Sequence, residues 1–222
     1  MINRLPAARL EVQFILSLPL YAGTDRLEIG VALDAKFEEP TPQKIQKPIV
    51  FYGSSITQGG CASRPANNYT TMICRDLDAP QVNLGFSGSG RGEPAVAHAI
   101  AKIDASVFVF DYDHNAPTSE HLRATHEPFF KIIREAHPDL PVIFLSRPDT
   151  DNGGERMEII RQTYANAVAA GDKNVYFIPG DSLFGPNGLN WCTVDGCHPN
   201  DLGFYRMYEK ILPVVKQALH MD

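Results

Sequence analysis

Cysteines are few in this sequence, and no apolar run is long. Four cysteines in 222 residues are too few for a scaffold held together by disulfides. Cys192 and Cys197 are close in sequence, and their spacing allows either a bridge or two separate thiols. The longest apolar stretch, residues 14–20, is interrupted by a serine and a proline, whereas a membrane-spanning helix needs about 20 apolar residues. We therefore predict no membrane span.

Basic runs and metal-binding patterns are also scarce. The formal net charge is −6, which argues against a nucleic-acid-binding surface. A zinc site built from Cys192, Asp195, Cys197 and His198 is a weak alternative, because adjacent residues cannot easily point at one ion. We predict no metal and no cofactor. The chain as given begins without the pattern of a signal peptide, and its oligomeric state stays open.

The hydrophobic content of 44% is sufficient for one compact domain. Short apolar segments rich in β-branched residues alternate with segments of helical periodicity. The predicted strands are 48–52, 81–85, 106–112, 141–146 and 174–178, and the predicted helices are 67–77, 93–103, 118–136, 155–170 and 200–218. This alternation predicts an α/β fold, in which helices cover both faces of a parallel sheet. Histidines 121, 126 and 137 on or near one helix are expected to be solvated or partly packed.

The first 47 residues have a different pattern. Residues 10–16 and 27–33 alternate apolar and polar side chains around a turn at 21–25, which predicts a β-hairpin. Residues 36–47 form a predicted linker. Because an isolated hairpin is marginal in water, it should extend the main sheet or belong to a larger unit. We therefore divide the chain into an extension, 1–47, and an α/β domain, 48–222.

The residue types needed for nucleophilic catalysis lie in two separate segments. Ser55 lies in the turn after the first strand of the α/β region, and Asp195 precedes His198 by three residues, just before a helix. A serine hydroxyl needs a base to take its proton, and an imidazole is a better base when a carboxylate orients it. Alone, these residues have ordinary interpretations as a turn, a cap and a surface histidine. Two further polar segments, 83–90 and 113–115, also follow strands and so share the ligand-binding edge of the sheet.

Together these segments resemble the SGNH/GDSL hydrolases, a superfamily of esterases and lipases. Ser55 matches the nucleophile of that family, and Asp195 and His198 match its Asp-x-x-His block. Gly88 and Asn115 match the residues that, with the Ser55 N–H, form the oxyanion hole. The resemblance implies a three-layer, flavodoxin-like sandwich with a five-stranded parallel sheet.

The sequence departs from the family pattern at two places. Ser54 stands where the family name has Asp, and residues 113–116 read Asp-His-Asn-Ala where most members have Gly-x-Asn-Asp. We predict that Asn115 still donates to the oxyanion and that Asp113 and His114 line the acyl or sugar pocket. The competing interpretation is that the missing glycine turns the Asn115 amide away.

The resemblance implies a serine esterase that hydrolyses short-chain acyl esters, most simply acetyl esters of a carbohydrate, through an acyl-enzyme. The alternative is a catalytically impaired carbohydrate- or partner-binding module on the same fold. His114, Arg147 and Trp191 are candidate substrate-binding residues; Arg147 could instead pair with a nearby acid, and Trp191 could pack under its loop. A branch of the family carries an N-terminal β-sandwich domain, of which residues 1–47 would be a remnant. Such relatives are often exported, which favours an extracytoplasmic location.

Overall fold

The computed structural model describes residues 13–148, 154–185 and 188–221 of the chain. Its centre is a parallel five-stranded sheet with the strand order β2-β1-β3-β4-β5. The strands are β1 (Ile49–Gly53), β2 (Gln81–Gly85), β3 (Val107–Asp111), β4 (Val142–Leu145) and β5 (Val175–Ile178). They closely match the predicted ranges, so the predicted α/β class is confirmed.

Seven helices lie in the described ranges. They are α1 (Ser55–Gln58), α2 (Tyr69–Leu77), α3 (Pro94–Ile100), α4 (Ser119–Ala136), α5 (Gly154–Ala169), α6 (Gly188–Cys192) and α7 (Asp201–Ala218). Three helices, α2, α4 and α7, begin where the sequence supplies a cap: Asn68, Thr118 and Asn200 each accept a hydrogen bond from a first-turn N–H. No helix in these ranges is long and apolar enough to cross a membrane.

The strands direct alternate side chains to opposite faces of the sheet. On one face, Ile49 and Phe51 pack in a core with α2 and α7. On the other face, Val50 and Tyr52 pack in a second core with α3, α4 and α5. Because both faces are covered, strands with almost no polar residue are buried on both sides. The predicted three-layer sandwich is therefore confirmed.

The N-terminal segment differs from its prediction. Its described part, residues 13–47, contains no strand, so the predicted hairpin is not formed there, and residues 1–12 lie outside the described residues. A two-stranded ribbon is marginal unless another layer covers its apolar face, and in the described part of the chain most of the apolar side chains of this segment are exposed. Ten large apolar or aromatic side chains of the segment are at least half exposed: Phe14, Ile15, Leu16, Leu18, Tyr21, Leu27, Ile29, Val31, Leu33 and Phe37.

His126 also differs from its prediction, since it is 1% exposed. Its ring stacks on Phe110 with 4.5 Å between centroids, and its Nδ1 lies 2.9 Å from Thr163 Oγ1. Its position four residues after Leu122 and three before Phe129 places it on the inward stripe of α4. Burial lowers the pKa of His126 to about 3, so the imidazole is neutral in the folded protein.

We expect the stability advantage of the wild type over His126→Asn to shrink as the pH falls from about 6.5 towards 4. The unfolded chain binds a proton at His126 with a pKa near 6.5, whereas the folded chain does so only at about 3. Protonation therefore favours the unfolded state by about 1.4 kcal/mol per pH unit inside that window. Urea denaturation of both proteins at several pH values measures the difference between their free energies of unfolding. Other titrating groups contribute equally to both proteins and cancel in that difference. A pH-independent difference would contradict a buried neutral imidazole.

Candidate active site

Polar residues from three neighbouring strands meet at the carboxyl edge of the sheet. α1 follows β1, a turn at 86–89 follows β2, and a short 3-10 helix, Asp113–Asn115, follows β3. In the order β2-β1-β3, the chain direction across the sheet reverses between β1 and β3. A parallel sheet opens a crevice at such a point, because the connections after the two strands leave towards opposite faces.

Ser55 begins α1, directly after the buried strand β1. The Ser54 side chain caps the helix by accepting a hydrogen bond from the Ile56 N–H at 3.1 Å. Ser and Asp are both favourable N-caps, which explains physically why Ser54 can stand where the family name has Asp. The N–H groups at the start of a helix have no acceptor within the helix. The Ser55 N–H is one of these groups and can bind a substrate oxygen.

Glycine at the end of β2 lets α1 lie close to the sheet. A Cβ placed on Gly85 would be 2.1 Å from the Gln58 backbone nitrogen and 2.5 Å from its Cα. Both atoms belong to the backbone of α1 and cannot rotate away. The turn that carries Ser55 is therefore held against the neighbouring strand by an approach that only glycine permits.

We expect Gly85→Ala to lower the free energy of unfolding by roughly 2–3 kcal/mol, because it overpacks a rigid contact. Gly154→Ala is the matched control, since an added Cβ there meets no atom within 4 Å. Denaturant unfolding of the two variants beside the wild type measures the effect. Equal stability of both variants would mean that α1 is not packed tightly on β2.

The structure brings Ser55, His198 and Asp195 together in one chain of hydrogen bonds. Ser55 Oγ lies 2.9 Å from His198 Nε2, and His198 Nδ1 lies 2.8 Å from Asp195 Oδ2. Asp195 is ionised, because hydrogen bonds from the His198 backbone N–H and imidazole and from the Cys197 N–H lower its pKa to about 2. A carboxylate beside Nδ1 keeps the proton on that nitrogen and leaves Nε2 free to accept the proton of the serine.

The loop that carries Asp195 and His198 is fixed at both ends. Thr193 and Pro199 form an isolated antiparallel bridge, and α7 begins directly after Asn200, its N-cap. Asp201 ties the start of α7 to the loop after α1, because its carboxylate accepts a 2.9 Å hydrogen bond from the Ser63 N–H. His198 and Ser55 are thus held together by segments far apart in sequence.

Asn115 and Gly88 lie on two neighbouring segments. Asn115 Nδ2 donates to the Phe86 carbonyl at 2.8 Å, which attaches the amide to the turn that contains Gly88. Gly88 has a φ of +66°, a conformation that glycine adopts without strain. Arg91 donates to the Gly88 carbonyl through Nε and Nη2, at 3.2 and 2.9 Å. An amide nitrogen has two hydrogens, so Asn115 Nδ2 has a second hydrogen besides the one that it donates to Phe86.

Asp113 does not line a pocket, so that expectation was wrong. It is fully buried, and its carboxylate accepts hydrogen bonds from the Arg147 N–H at 3.1 and 3.2 Å. Burial raises its pKa to about 6. Asp113 therefore joins the loop after β3 to the loop after β4. The sequence could not reveal this role, because it depends on a partner 34 residues away.

The other three candidate residues lie in different surroundings. His114 is half-buried, and its Nε2 lies 2.8 Å from Cys197 Sγ. It therefore contacts the loop that carries Asp195 and His198. Arg147 is also half-buried, and its candidate partners Asp149 and Asp151 lie outside the described residues. Trp191 is 58% exposed and is therefore not packed under its loop. Substrate contact by any of the three stays a prediction.

All four cysteines are free thiols, so Cys192 and Cys197 do not form a bridge. Asp195, Cys197 and His198 each offer one possible ligand atom, and these three atoms lie within 4.8 Å of one another. The ligand atoms of the adjacent residues Cys197 and His198 are thus closer to each other than we expected when we judged that they could not easily bind one metal ion. A metal there would displace the hydrogen bonds of His198 to Asp195 or Ser55. The absence of a metal from the reaction stays a prediction.

Sequence reasoning missed one residue of this site, Tyr21, whose hydroxyl donates to the Ser55 carbonyl at 3.3 Å. The available indication was a lone aromatic residue in a predicted turn, which is a weak one. The sequence-based prediction also lacked α1 and α6, because helices of four and five residues are too short to show a periodic pattern.

Comparison with known proteins gives one family match and several similar structures. The family model described as GDSL-like lipase/acylhydrolase matches residues 46–216. A Bacteroides ovatus ATCC 8483 protein described as a GDSL-like lipase is 34% identical, with a TM-score of 0.72. The salicylyl-acyltransferase SsfX3 of a tetracycline biosynthetic pathway is 21% identical with a TM-score of 0.67. A family two carbohydrate esterase of Clostridium thermocellum, in complex with cellohexaose, is 18% identical with a TM-score of 0.65.

These similarities cover most of this chain and less of the other proteins. The matches cover 80%, 78% and 83% of this chain, and 55%, 54% and 67% of the Bacteroides protein, the acyltransferase and the carbohydrate esterase. The chain thus spans about half the length of the first two. The search of curated proteins gave no match. The acyltransferase and the carbohydrate esterase support the fold alone at their level of identity.

Proposed function

Since the chain belongs to the GDSL-like lipase/acylhydrolase family, we propose that it is a serine esterase that hydrolyses short-chain acyl esters, with acetyl esters of a carbohydrate as the preferred class. The observation that carries the proposal is the hydrogen-bonded chain from Ser55 Oγ through His198 to the Asp195 carboxylate. In this arrangement the base is oriented, its tautomer is fixed, and the nucleophile lies within reach of it.

The reaction proceeds through an acyl-enzyme. Ser55 Oγ attacks the carbonyl carbon of the ester while its proton passes to His198 Nε2, and a tetrahedral intermediate forms. The bond to the alcohol oxygen then breaks, and His198 returns the proton to the departing alcohol. A water molecule attacks the acyl-enzyme with His198 again as base. The carboxylic acid leaves and Ser55 regains its proton.

The negative oxygen of the intermediate is bound by three donors. They are the N–H groups of Ser55 and Gly88 and the second amide hydrogen of Asn115, whose first hydrogen is engaged by Phe86. Removal of one such donor typically costs a factor of roughly 100–1000 in kcat. The Arg91 contacts with the Gly88 carbonyl support this assignment, because they hold the turn in place before substrate arrives.

The carbohydrate part of the proposal rests on shape and on residue type. The chain shares its fold with a carbohydrate esterase bound to cellohexaose. In addition, the exposed Trp191 lies just before the Asp195 loop in sequence. Aromatic rings with an exposed face pack well against sugar rings. His114 and Arg147 lie on the loops after β3 and β4 and are proposed to border the same pocket.

Hydrolysis of aryl esters of increasing acyl length tests the proposal. We expect the highest kcat/KM for acetyl and a decline of at least about tenfold by octanoyl, together with release of acetate from an acetylated oligosaccharide. No hydrolysis of any ester, with binding of saccharides retained, would favour the catalytically impaired binding module. A binding module could have the same fold and the same residues near the cleft. The measurement of activity therefore distinguishes the esterase from the binding module.

The division of the chain at residue 47 is a further part of the proposal. We propose that residues 1–47 are the last part of a β-sandwich domain that covers their aliphatic and phenylalanine side chains in a larger protein. Large side chains such as Phe14, Ile29 and Leu33 are 89%, 72% and 110% exposed. The partial coverage of the first two similar structures supports the same view.

A further inference from the structure

The N-terminal segment is attached to the helix that carries the proposed nucleophile. The Leu20 carbonyl accepts a 3.0 Å hydrogen bond from Gln58 Nε2, and the hydroxyl of Tyr21 donates to the Ser55 carbonyl at 3.3 Å. Two successive residues thus contact the first and last residues of α1. Both lie outside residues 46–216, the part of the chain that matches the family model.

The position of Gly60 shows how close Tyr21 is to the base. A Cβ placed on Gly60 would meet Tyr21 Oη at 2.7 Å, the Ser55 carbonyl oxygen at 3.2 Å and His198 Cδ2 at 3.6 Å. The missing side chain of Gly60 therefore makes room for the tyrosine beside the imidazole. Cδ2 is the ring carbon next to Nε2, the atom that protonates the departing alcohol in the proposed mechanism. Tyr21 Oη and His198 Cδ2 thus border the same position, the one that a side chain at Gly60 would occupy.

The two ends of the Tyr21 side chain have different surroundings. Burial raises the pKa of Tyr21, so the phenol is neutral at physiological pH and can donate to the Ser55 carbonyl. The residue is nevertheless 54% exposed. Its polar end is thus fixed at Ser55 while much of its ring remains open to solvent. This combination of a fixed hydroxyl and an open ring is suited to contact with an amphipathic ligand.

Building on the proposed esterase function, we propose that Tyr21 is a substrate-contacting residue that forms the alcohol-side wall of the active site and favours esters of cyclic, hydroxyl-rich alcohols. The acyl group lies on the other side of the scissile bond, so Tyr21 has no part in the choice of acyl length. The specificity for the alcohol then depends on a residue supplied from outside the part of the chain that matches the family model.

The test compares two acetyl esters, ethyl acetate and an O-acetylated cellobiose, in the full chain. We expect Tyr21→Ala to raise KM for the acetylated disaccharide about tenfold, to leave kcat/KM for ethyl acetate within about twofold, and to leave the acyl-length profile unchanged. Tyr21→Phe keeps the ring and should retain most of the disaccharide affinity. Tyr205→Ala is the matched control, because this tyrosine on α7 is 48% exposed and packs against Tyr208.

Three outcomes would overturn the proposal. An equal loss on both esters in Tyr21→Ala would mean that the residue only holds α1 in place. Wild-type kinetics of Tyr21→Ala on both esters would mean that it does not contact the substrate. If the wild type itself hydrolyses neither ester, the proposed esterase function fails first, and that result is distinct from an active enzyme indifferent to residue 21.

Discussion

Ser55→Ala is expected to lose at least roughly four orders of magnitude in kcat for aryl acetate hydrolysis, with a folded structure and little change in KM. In the proposed mechanism the reaction depends on the 2.9 Å contact between Ser55 Oγ and His198 Nε2, and alanine offers no atom to accept the acyl group. Incubation of the wild type with a fluorophosphonate should add one adduct, on Ser55, and the variant should add none.

Ser89→Ala is the matched control for this experiment. Ser89 is an exposed serine in the turn after β2, and its hydroxyl donates to the Ser87 carbonyl at 3.3 Å. It lacks a histidine partner among the residues described, and its variant should be labelled at the wild-type rate. Labelling that persists in Ser55→Ala would assign the nucleophile to another residue.

Asp195→Asn should have the second largest effect, a fall in kcat of roughly 10²- to 10⁴-fold with little change in KM. The Asp195 carboxylate accepts from His198 Nδ1 at 2.8 Å, and its pKa of about 2 keeps it charged at neutral pH. An asparagine amide can donate to Nδ1 instead. The proton then moves to Nε2, which can no longer accept the proton of Ser55.

Asp201→Asn provides the comparison, because it makes the same chemical change six residues further along the chain. Asp201 accepts hydrogen bonds from Ser63 and from Asn67 Nδ2. We expect this variant to lose some stability and to keep its kcat. If Asp195→Asn turned over at the wild-type rate, Asp195 would serve only as a cap for the Cys197 and His198 N–H groups.

Local patterns were sufficient for the central fold. A strand buried on both faces needs a continuous apolar run, and a helix needs a longer periodic one, so the two alternate visibly between residues 48 and 218. Three polar segments after these strands, together with the Asp-x-x-His block before the last helix, carried the family resemblance from which Ser55, Gly88, Asn115, Asp195 and His198 were predicted as site residues. These patterns involve residues that are close together in the chain, so they can be recognised from the sequence alone.

Local patterns failed where the outcome depended on a distant partner. The alternation in residues 10–33 predicts a hairpin, but a ribbon forms only when another layer covers it. The polarity of His126 indicated a solvated side chain, although Phe110 and Thr163 enclose it. Asp113 was expected to face a pocket, yet it binds the Arg147 backbone.

The sequence by itself therefore determined the α/β class, the strand and helix positions and the residue types of the proposed catalytic centre, because each follows from local periodicity or from a short motif. Only the tertiary structure decided which residues surround that centre. It placed His198 against Ser55 across 143 residues of sequence, attached Asn115 to the turn at Phe86, and brought Tyr21 to the same edge. These contacts join loops at the carboxyl end of the sheet, and their formation depends on the packing of the strands that carry the loops.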